Sequence, residues 1–542
     1  MAEIADSWQL KAQISRDVLQ DSIDKTCLLG VDELPGVEVR DVNKWLQFSG
    51  HLTPLEWEMT SQDIRGLLDR YKTGDWSVEQ VTRAFLKRAT IGHQILNYAT
   101  EFLSETALGA ARHLDDHFRQ SGQLKGPLHG VPVSVKEHVA IGGRICHASF
   151  VSKIDNTAFE DAHIVKLLKK AGAVIHVRTN QPQSIMHLDC SNNITGTTLN
   201  PLDRRLSPGG SSGGEGAALS FGCSMLGVGT DIGGSVRVPA AFCGVYGFKP
   251  TSLRNPSFGL VGVMGGQESI RGCVGPLARN MKDLAIFEKA ILDQKPWEFD
   301  TVLVPLPWRQ PSLRLKDLTV GLMMDDGNVR LHPPIRLALM EAEKRLVSKS
   351  VKVVRWQLYK HAEGWDIVRQ LYFPEGGQRV REAIAHSGEP MLPLTSWALS
   401  RATDKSLTIV ENWSLNLRRD RLRREYHRAM AAQGVDVILC PVYHGVGAVL
   451  GETKYWQYTS IWNILDQPAV SFPIGHYANT SETCSTSKDN PLSAEDEAEQ
   501  NNYDLEMHHG LPISLQLVGK RHQDEELLVA AGLVEEIISA TS

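Results

Sequence analysis

Apolar residues recur at helical spacing in some stretches of the chain and run together for five or six residues in others. Ser77 followed by Gln80 has the pattern of a capping box, and Val81, Phe85 and Leu86 after it share a helical face, which predicts a helix over 77–90. A second amphipathic helix is predicted over 100–120. Val131–Lys136 then reads as a strand, and a helix over 161–171 carrying Ile164, Leu167 and Leu168 leads into a strand at Ala173–Val177. Further strand candidates lie at 224–229, 318–323, 436–440 and 512–518. Strands alternating with helices predict an α/β fold with a largely parallel sheet. Before this pattern begins, Trp8, Leu10, Val18 and Leu19 fall at loosely helical spacing, so residues 1–78 are expected to form a helical arm packed on the body.

Two segments break the rhythm. Residues 207–250 are rich in Gly and Ser but also carry Leu219, Phe221, Met225, Leu226, Val228 and Ile232, more apolar surface than a flexible linker holds. Residues 478–504 are polar, and from 491 to 506 there are six acids with no Lys or Arg, which predicts a solvated, mobile acidic surface insertion. The chain of 542 residues is 42% hydrophobic and 22% charged, a balance that excludes disorder as its main state. With 57 basic against 63 acidic residues and a formal net charge of −6, general nucleic-acid affinity is not expected. Eight cysteines, none in a C-x-x-C pair, fit a reduced intracellular protein. Neither a secretory pattern nor an 18-residue apolar run is present, so a soluble cytoplasmic protein without a membrane span is expected.

Three pieces of sequence carry candidate chemistry. Lys136 ends a strand; it either guards a sheet edge or is buried, and a buried lysine must be neutral or paired. A neutral lysine is a strong base, and desolvation lowers its pKa from an ordinary value of about 10.4 toward neutrality. The run Ser207–Ala217 lacks the Lys-Ser/Thr ending of a phosphate loop. It matches G-x-S-x-G around Ser212 but lacks the preceding strand that a nucleophile elbow needs. In the third piece, 229–239, the backbone N–H groups of Ile232, Gly233, Gly234 and Ser235 could converge on a developing oxyanion, with Ser235 as nucleophile. Its base would be a neutral lysine acting through another serine.

Read together, VPVSVKEH at 131–138, DCSNNITGTTLNP at 189–201, SPGGSSGGEGA at 207–217, GVGTDIGGSVRVPAAFCGVYGFKPT at 227–251 and GLPISLQLVG at 510–519 resemble the amidase signature family of serine hydrolases. The N-terminal arm, PWRQ at 307–310 and SGEP at 387–390 bring the resemblance nearest to acetamidase-like enzymes of filamentous fungi. The resemblance implies one α/β catalytic domain over 79–535, its core at 131–251, with a central mixed sheet flanked by helices on both faces. It implies Ser235 as the acyl-forming nucleophile and Lys136 as base and acid. Ser211 is the bridging serine, after a cis peptide at Gly210. Ile232, Gly233, Gly234 and Ser235 make the oxyanion hole, and Ile185 joins Ser211 at the substrate site. Ser212, Asp231 and Arg237 give structural support.

The expected reaction is hydrolysis of a carboxamide to a carboxylate and ammonia or an amine, with no metal or organic cofactor. Alternatives are a subunit supplying ammonia for tRNA-dependent amidation and an amide-tailoring enzyme of specialised metabolism. The partner is a small-molecule amide; oligomeric state stays open, with a homodimer compatible. The segments near Ile185–His187 and 440–465, including Tyr455, Trp456, Tyr458 and Trp462, are expected to build the pocket or to pack. His138, two residues after Lys136, could touch the site but is expected to pack or bond locally, and His508 and His509 to lie at the surface. The arginines between 418 and 428 are expected to form a salt-bridged helix face rather than a nucleic-acid patch.

Overall fold

The computed structural model describes residues 2–479 and 490–540. Its strands are β1 (Ala99–Phe102), β2 (Pro132–Lys136), β3 (Val174–Thr179), β4 (Ser191–Asn192), β5 (Gly196–Thr197), β6 (Leu226–Asp231), β7 (Tyr246–Lys249), β8 (Cys273–Ala278), β9 (Thr319–Leu322), β10 (Lys352–Arg355), β11 (Val437–Pro441), β12 (Ala469–Tyr477) and β13 (Pro512–Val518). β4 and β5 form a small hairpin, and the others make one eleven-stranded sheet in the order β1-β3-β2-β6-β8-β7-β12-β13-β11-β9-β10. Every position of β2, β3, β6, β8 and β13 is buried, which requires cover on both faces. Helices provide it, and the main apolar core runs without a break from Met59 to Ile538.

The expectation of a largely parallel sheet is corrected. Only β2 with β3 and β6, and β9 with β10 and β11, pair in parallel; the other six pairings are antiparallel. A helix at His163–Lys170 carries the chain from β2 to β3, and one at Pro333–Ser348 from β9 to β10, so these strands return in parallel. In the middle, β8 slots between β6 and β7 and runs against both, and β13 runs against both β12 and β11. Periodicity marks a strand and its buried faces but not its direction.

The helix predicted over 77–90 spans Val78–Leu96, with the capping box of Ser77 and Gln80 formed. Ahead of it, helices at Ala2–Ser22, Val42–Ser49, Pro54–Ser61 and Ile64–Thr73 pack on the body: Leu19, Val42 and Leu46 meet Leu86, Ile91 and Phe221. Of the predicted acidic insertion, 480–489 lies outside the described residues. Most of the described remainder from 490 to 504 is exposed, but two of its acids are anchored. A helix at Ala494–Asn501 buries Asp496 and Glu499. Asp496 accepts from the Arg330 N–H at 2.9 Å, Glu499 lies 3.0 Å from His444 Nε2, and Glu495 pairs with Arg401 at 2.8 Å. These partners lie far away in sequence, so composition alone did not show where the segment is anchored. His508, expected at the surface, is likewise buried and stacks on Tyr503. On the arginine-rich helix Ile409–Ala432, Arg418 pairs with Asp366 and Arg419 with Asp420. Among the described residues no helix is long and apolar enough to cross a membrane.

Candidate active site

β2 and β6 are parallel neighbours, so their carboxyl ends open at the same edge of the sheet. Lys136 is the last residue of β2, and β6 ends at Asp231 before the chain turns through 232–235 into a helix at Arg237–Phe242. Ser211 follows a cis peptide at Gly210 and leads into the helix Gly213–Phe221. The Ser212 N–H donates to the Ser235 carbonyl at 3.1 Å, tying the two serine segments together. Ser212 Oγ accepts from the Thr230 N–H at 3.3 Å, a supporting role.

Lys136 is fully buried. Its Nζ donates to Ser211 Oγ at 2.6 Å and to Thr230 Oγ1 at 3.2 Å. Burial lowers its pKa to about 7, opposed more weakly by Cys190, Asp231 and Glu215. His138, expected to pack or bond locally, instead reaches this site: Nε2 lies 2.9 Å from Thr230 Oγ1 and Nδ1 lies 3.0 Å from the Val261 carbonyl. A carbonyl only accepts, so Nδ1 carries the proton and Nε2 accepts from the Thr230 hydroxyl. Burial and the nearby Lys136 hold the imidazole down at about 3, so it stays neutral. The Thr230 oxygen is thereby oriented toward Lys136. The sequence offered no signal for this arrangement, since only the pairing of β2 with β6 brings Thr230 and Lys136 together.

The turn at 232–235 is held from inside and outside. The Asp231 carboxylate accepts from the N–H groups of Gly234 at 2.9 Å and Val236 at 3.1 Å, from Arg237 Nε and Nη2 at 3.0 Å each, and from Asn463 at 2.9 Å. Burial alone would raise its pKa, but Arg237 and these donors override that and hold it well below the usual carboxylate range. Arg237 is fully buried and also donates to the Thr459 carbonyl and Gln516, each at 3.1 Å. Asp231→Ala would leave that guanidinium buried without its counter-charge. It is expected to lower stability by about 3–5 kcal/mol, measured by urea unfolding.

On the outer side, Tyr372 OH donates to the Ile232 carbonyl at 2.7 Å and Thr459 Oγ1 to the Gly233 carbonyl at 2.6 Å. In a trans peptide the N–H points opposite the C=O, so these two bonds turn the Gly233 and Gly234 N–H groups away from Tyr372 and Thr459. Of the four N–H groups expected to receive an oxyanion, that of Gly234 donates to Asp231 at 2.9 Å. Ile232, Gly233 and Ser235 keep N–H groups that donate to no protein acceptor among the described residues. Gly234 sits at φ +128, and a Cβ there would lie 2.4 Å from Thr459 Oγ1, so no other residue fits the turn.

A family model described as Amidase matches residues 80–528. The chain belongs to the amidase signature family. Its activity is accordingly amide-bond hydrolysis. An amidase-named protein of Schizosaccharomyces pombe is 42% identical over 514 residues, covering 94% of this chain and 95% of its own. An acetamidase of Aspergillus oryzae is 35% identical, covering 90% and 92%. Among solved structures, a fatty acid amide hydrolase superposes with a TM-score of 0.96 at 37% identity, covering all of this chain and 97% of its own.

In this amidase a cavity of about 410 Å³ opens over the serines. Ser211, Ser235, Thr230 and Ile185 line it. Ser184 and Ile185 lie at φ +67 and +61, a conformation a β-branched residue rarely adopts, and one that clusters at functional sites. The outer wall is the segment 257–272, with Leu260, Val261, Met264 and Ile270, which the sequence reading did not single out. Its one visible signal is the run of glycines at 262, 265 and 266 directly after the signature block. Of the four aromatic residues expected to line the pocket or to pack, Trp456 reaches the turn, in a small crevice beside Ser235. Tyr455 and Tyr458 pack in the body and donate to Asp326 and to the Val329 carbonyl, at 2.5 Å each.

Proposed function

We propose that this amidase works through an acyl-enzyme on Ser235, driven by a Lys136–Ser211 proton relay. Neutral Lys136 takes the proton of Ser211, Ser211 takes that of Ser235, and Ser235 Oγ attacks the amide carbon. The N–H groups of Ile232, Gly233 and Ser235 receive the oxyanion. The tetrahedral intermediate collapses as Ser211 protonates the amide nitrogen, replenished from Lys136, so that ammonia or an amine leaves. Water then attacks the acyl carbon with the same relay taking its proton, and the carboxylate is released. The observation that carries this reading is the buried Lys136 Nζ at 2.6 Å from Ser211, its pKa brought to about 7. A base poised near the working pH is what proton transfer in both directions needs.

The apolar lining of the main cavity favours substrates with an apolar group of several carbons. Among acetamide, hexanamide and benzamide, the purified chain alone is expected to release ammonia with the lowest KM for the larger two. Release only after a partner and charged tRNA are added would favour the amidotransferase reading instead. Tyr372 acts as a positioning residue, through the peptide it holds. Tyr372→Phe is expected to lower kcat about tenfold with little change in KM, because one oxyanion donor loses its orientation. A change in KM alone would refute that role.

A further inference from the structure

A second cavity, of about 420 Å³, lies apart from the catalytic centre and matches in size the one over the serines. No residue lines both. One side of it is a face of the helix Ser104–Ser121, on which Thr106, Ala110 and Leu114 recur every fourth residue with His113 beside them. Ile141 in the loop after β2, and Ala173 and Ile175 at the start of β3, add to its apolar lining. Leu114, Ile141, Ala173 and Ile175 are buried, so the cavity is apolar at depth. Four basic side chains also line it. Arg144 is paired with Glu101 at 2.8 Å and Lys169 with Asp161 at 2.6 Å. Lys125 and His113 differ: among the described residues, neither side chain has a hydrogen bond or an ion pair. Lys125 is engaged only through its backbone N–H, which donates to His129 Nδ1 at 3.0 Å.

An exposed lysine is ordinary by itself. At the lip of a buried apolar cavity it sets an unmatched positive charge beside unfilled apolar surface, and a single ligand can satisfy both. We propose that this cavity is a second binding site, for a monocarboxylate with an apolar body of several carbons. Its carboxylate meets the Lys125 ammonium and a ring N–H of His113, and its body covers Leu114, Ile141 and Ile175. Arg144 and Lys169 already have their counter-charges, so the fixed charge left to match is that of Lys125, which suits a monoanion. An uncharged molecule would gain nothing from Lys125, and a small anion would leave the apolar lining uncovered. In size and chemistry this ligand is the acid released by the reaction proposed above. Naming the product as the ligand rests on that reading; the site itself does not.

The test is calorimetric titration of the whole enzyme after Ser235 has been labelled with an alkyl fluorophosphonate, whose chain keeps ligand out of the catalytic cavity. Hexanoate is expected to bind at one site, at least about tenfold more tightly than acetate, which lacks the body, or hexan-1-ol, which lacks the charge. Lys125→Glu is expected to weaken hexanoate at least about tenfold. Ala110→Trp, which fills the cavity without touching a charge, is expected to abolish binding. Both variants should turn over hexanamide and unfold as wild type does. No binding of hexanoate, equal binding of hexan-1-ol, or binding unchanged in either variant would overturn the inference while leaving the hydrolase reading intact. Failure of the reagent to label Ser235 would count against the proposed nucleophile, and the same comparison of variants on unlabelled enzyme would still decide this site.

Discussion

Ser235→Ala is expected to reduce kcat for amide hydrolysis by about a million-fold, the scale seen when the nucleophile of a serine hydrolase is removed. The other serines cannot take over. Ser212 is fully buried with its Oγ against the Thr230 backbone, and Ser211 Oγ is bonded to Lys136 at 2.6 Å, where it serves the relay. KM should change little, since the cavity walls are untouched and only a transition-state interaction is lost. Alanine at 235 is also a small change in the folded state, so the variant should unfold at the wild-type temperature. Ammonia release from hexanamide measures the effect. A variant retaining a hundredth of wild-type kcat would contradict the assignment of Ser235.

Lys136→Met is the second large effect, an expected loss of at least about 10⁴-fold in kcat, because among the described residues Lys136 is the base bonded to Ser211. The pH dependence separates this role from a structural one. Wild-type kcat/KM should rise with pH and level off above a limb near 7, the pH at which Lys136 loses its proton. In Lys136→Met that limb should disappear. Stability should respond in a related way. The folded pKa lies below the unfolded value of about 10.4, so between about 7 and 10 the unfolded state binds more protons, and this group's contribution to stability rises with pH across that window. Lys136→Met should flatten that slope while packing a side chain of similar length. Denaturant midpoints at several pH values would detect it.

The residues of the proposed catalytic centre could be picked out because they lie in short, local pieces of sequence. Lys136 ends an apolar run, Ser211 sits among glycines, and Ser235 closes a glycine turn after a strand. What the sequence hid is what orients them. Thr230 meets Lys136 and His138 only through strand pairing, and Tyr372 and Thr459 reach the turn from helices at His361–Tyr372 and Gln457–Ile464. The strands at 132–136, 174–179, 226–231, 319–322, 437–441 and 512–518 were legible from apolar runs. β7 and β12 were not, since glycines and a proline interrupt their apolar residues. Strand direction was not legible anywhere, because alternation and burial look the same in either sense. The anchoring of the acidic stretch after 490 was not legible, because the partners of Asp496, Glu495 and Glu499 are Arg330, Arg401 and His444, more than forty residues away.

The most direct test of the central claim is peptide mass spectrometry on enzyme treated with a serine-reactive fluorophosphonate, or acid-quenched during turnover of an activated ester. A single adduct on the peptide containing Ser235, absent from Ser235→Ala and slowed in Lys136→Met, is the expected result. An adduct on Ser211 or Ser212, or labelling that persists in Ser235→Ala, would contradict Ser235 as the residue that carries the acyl group.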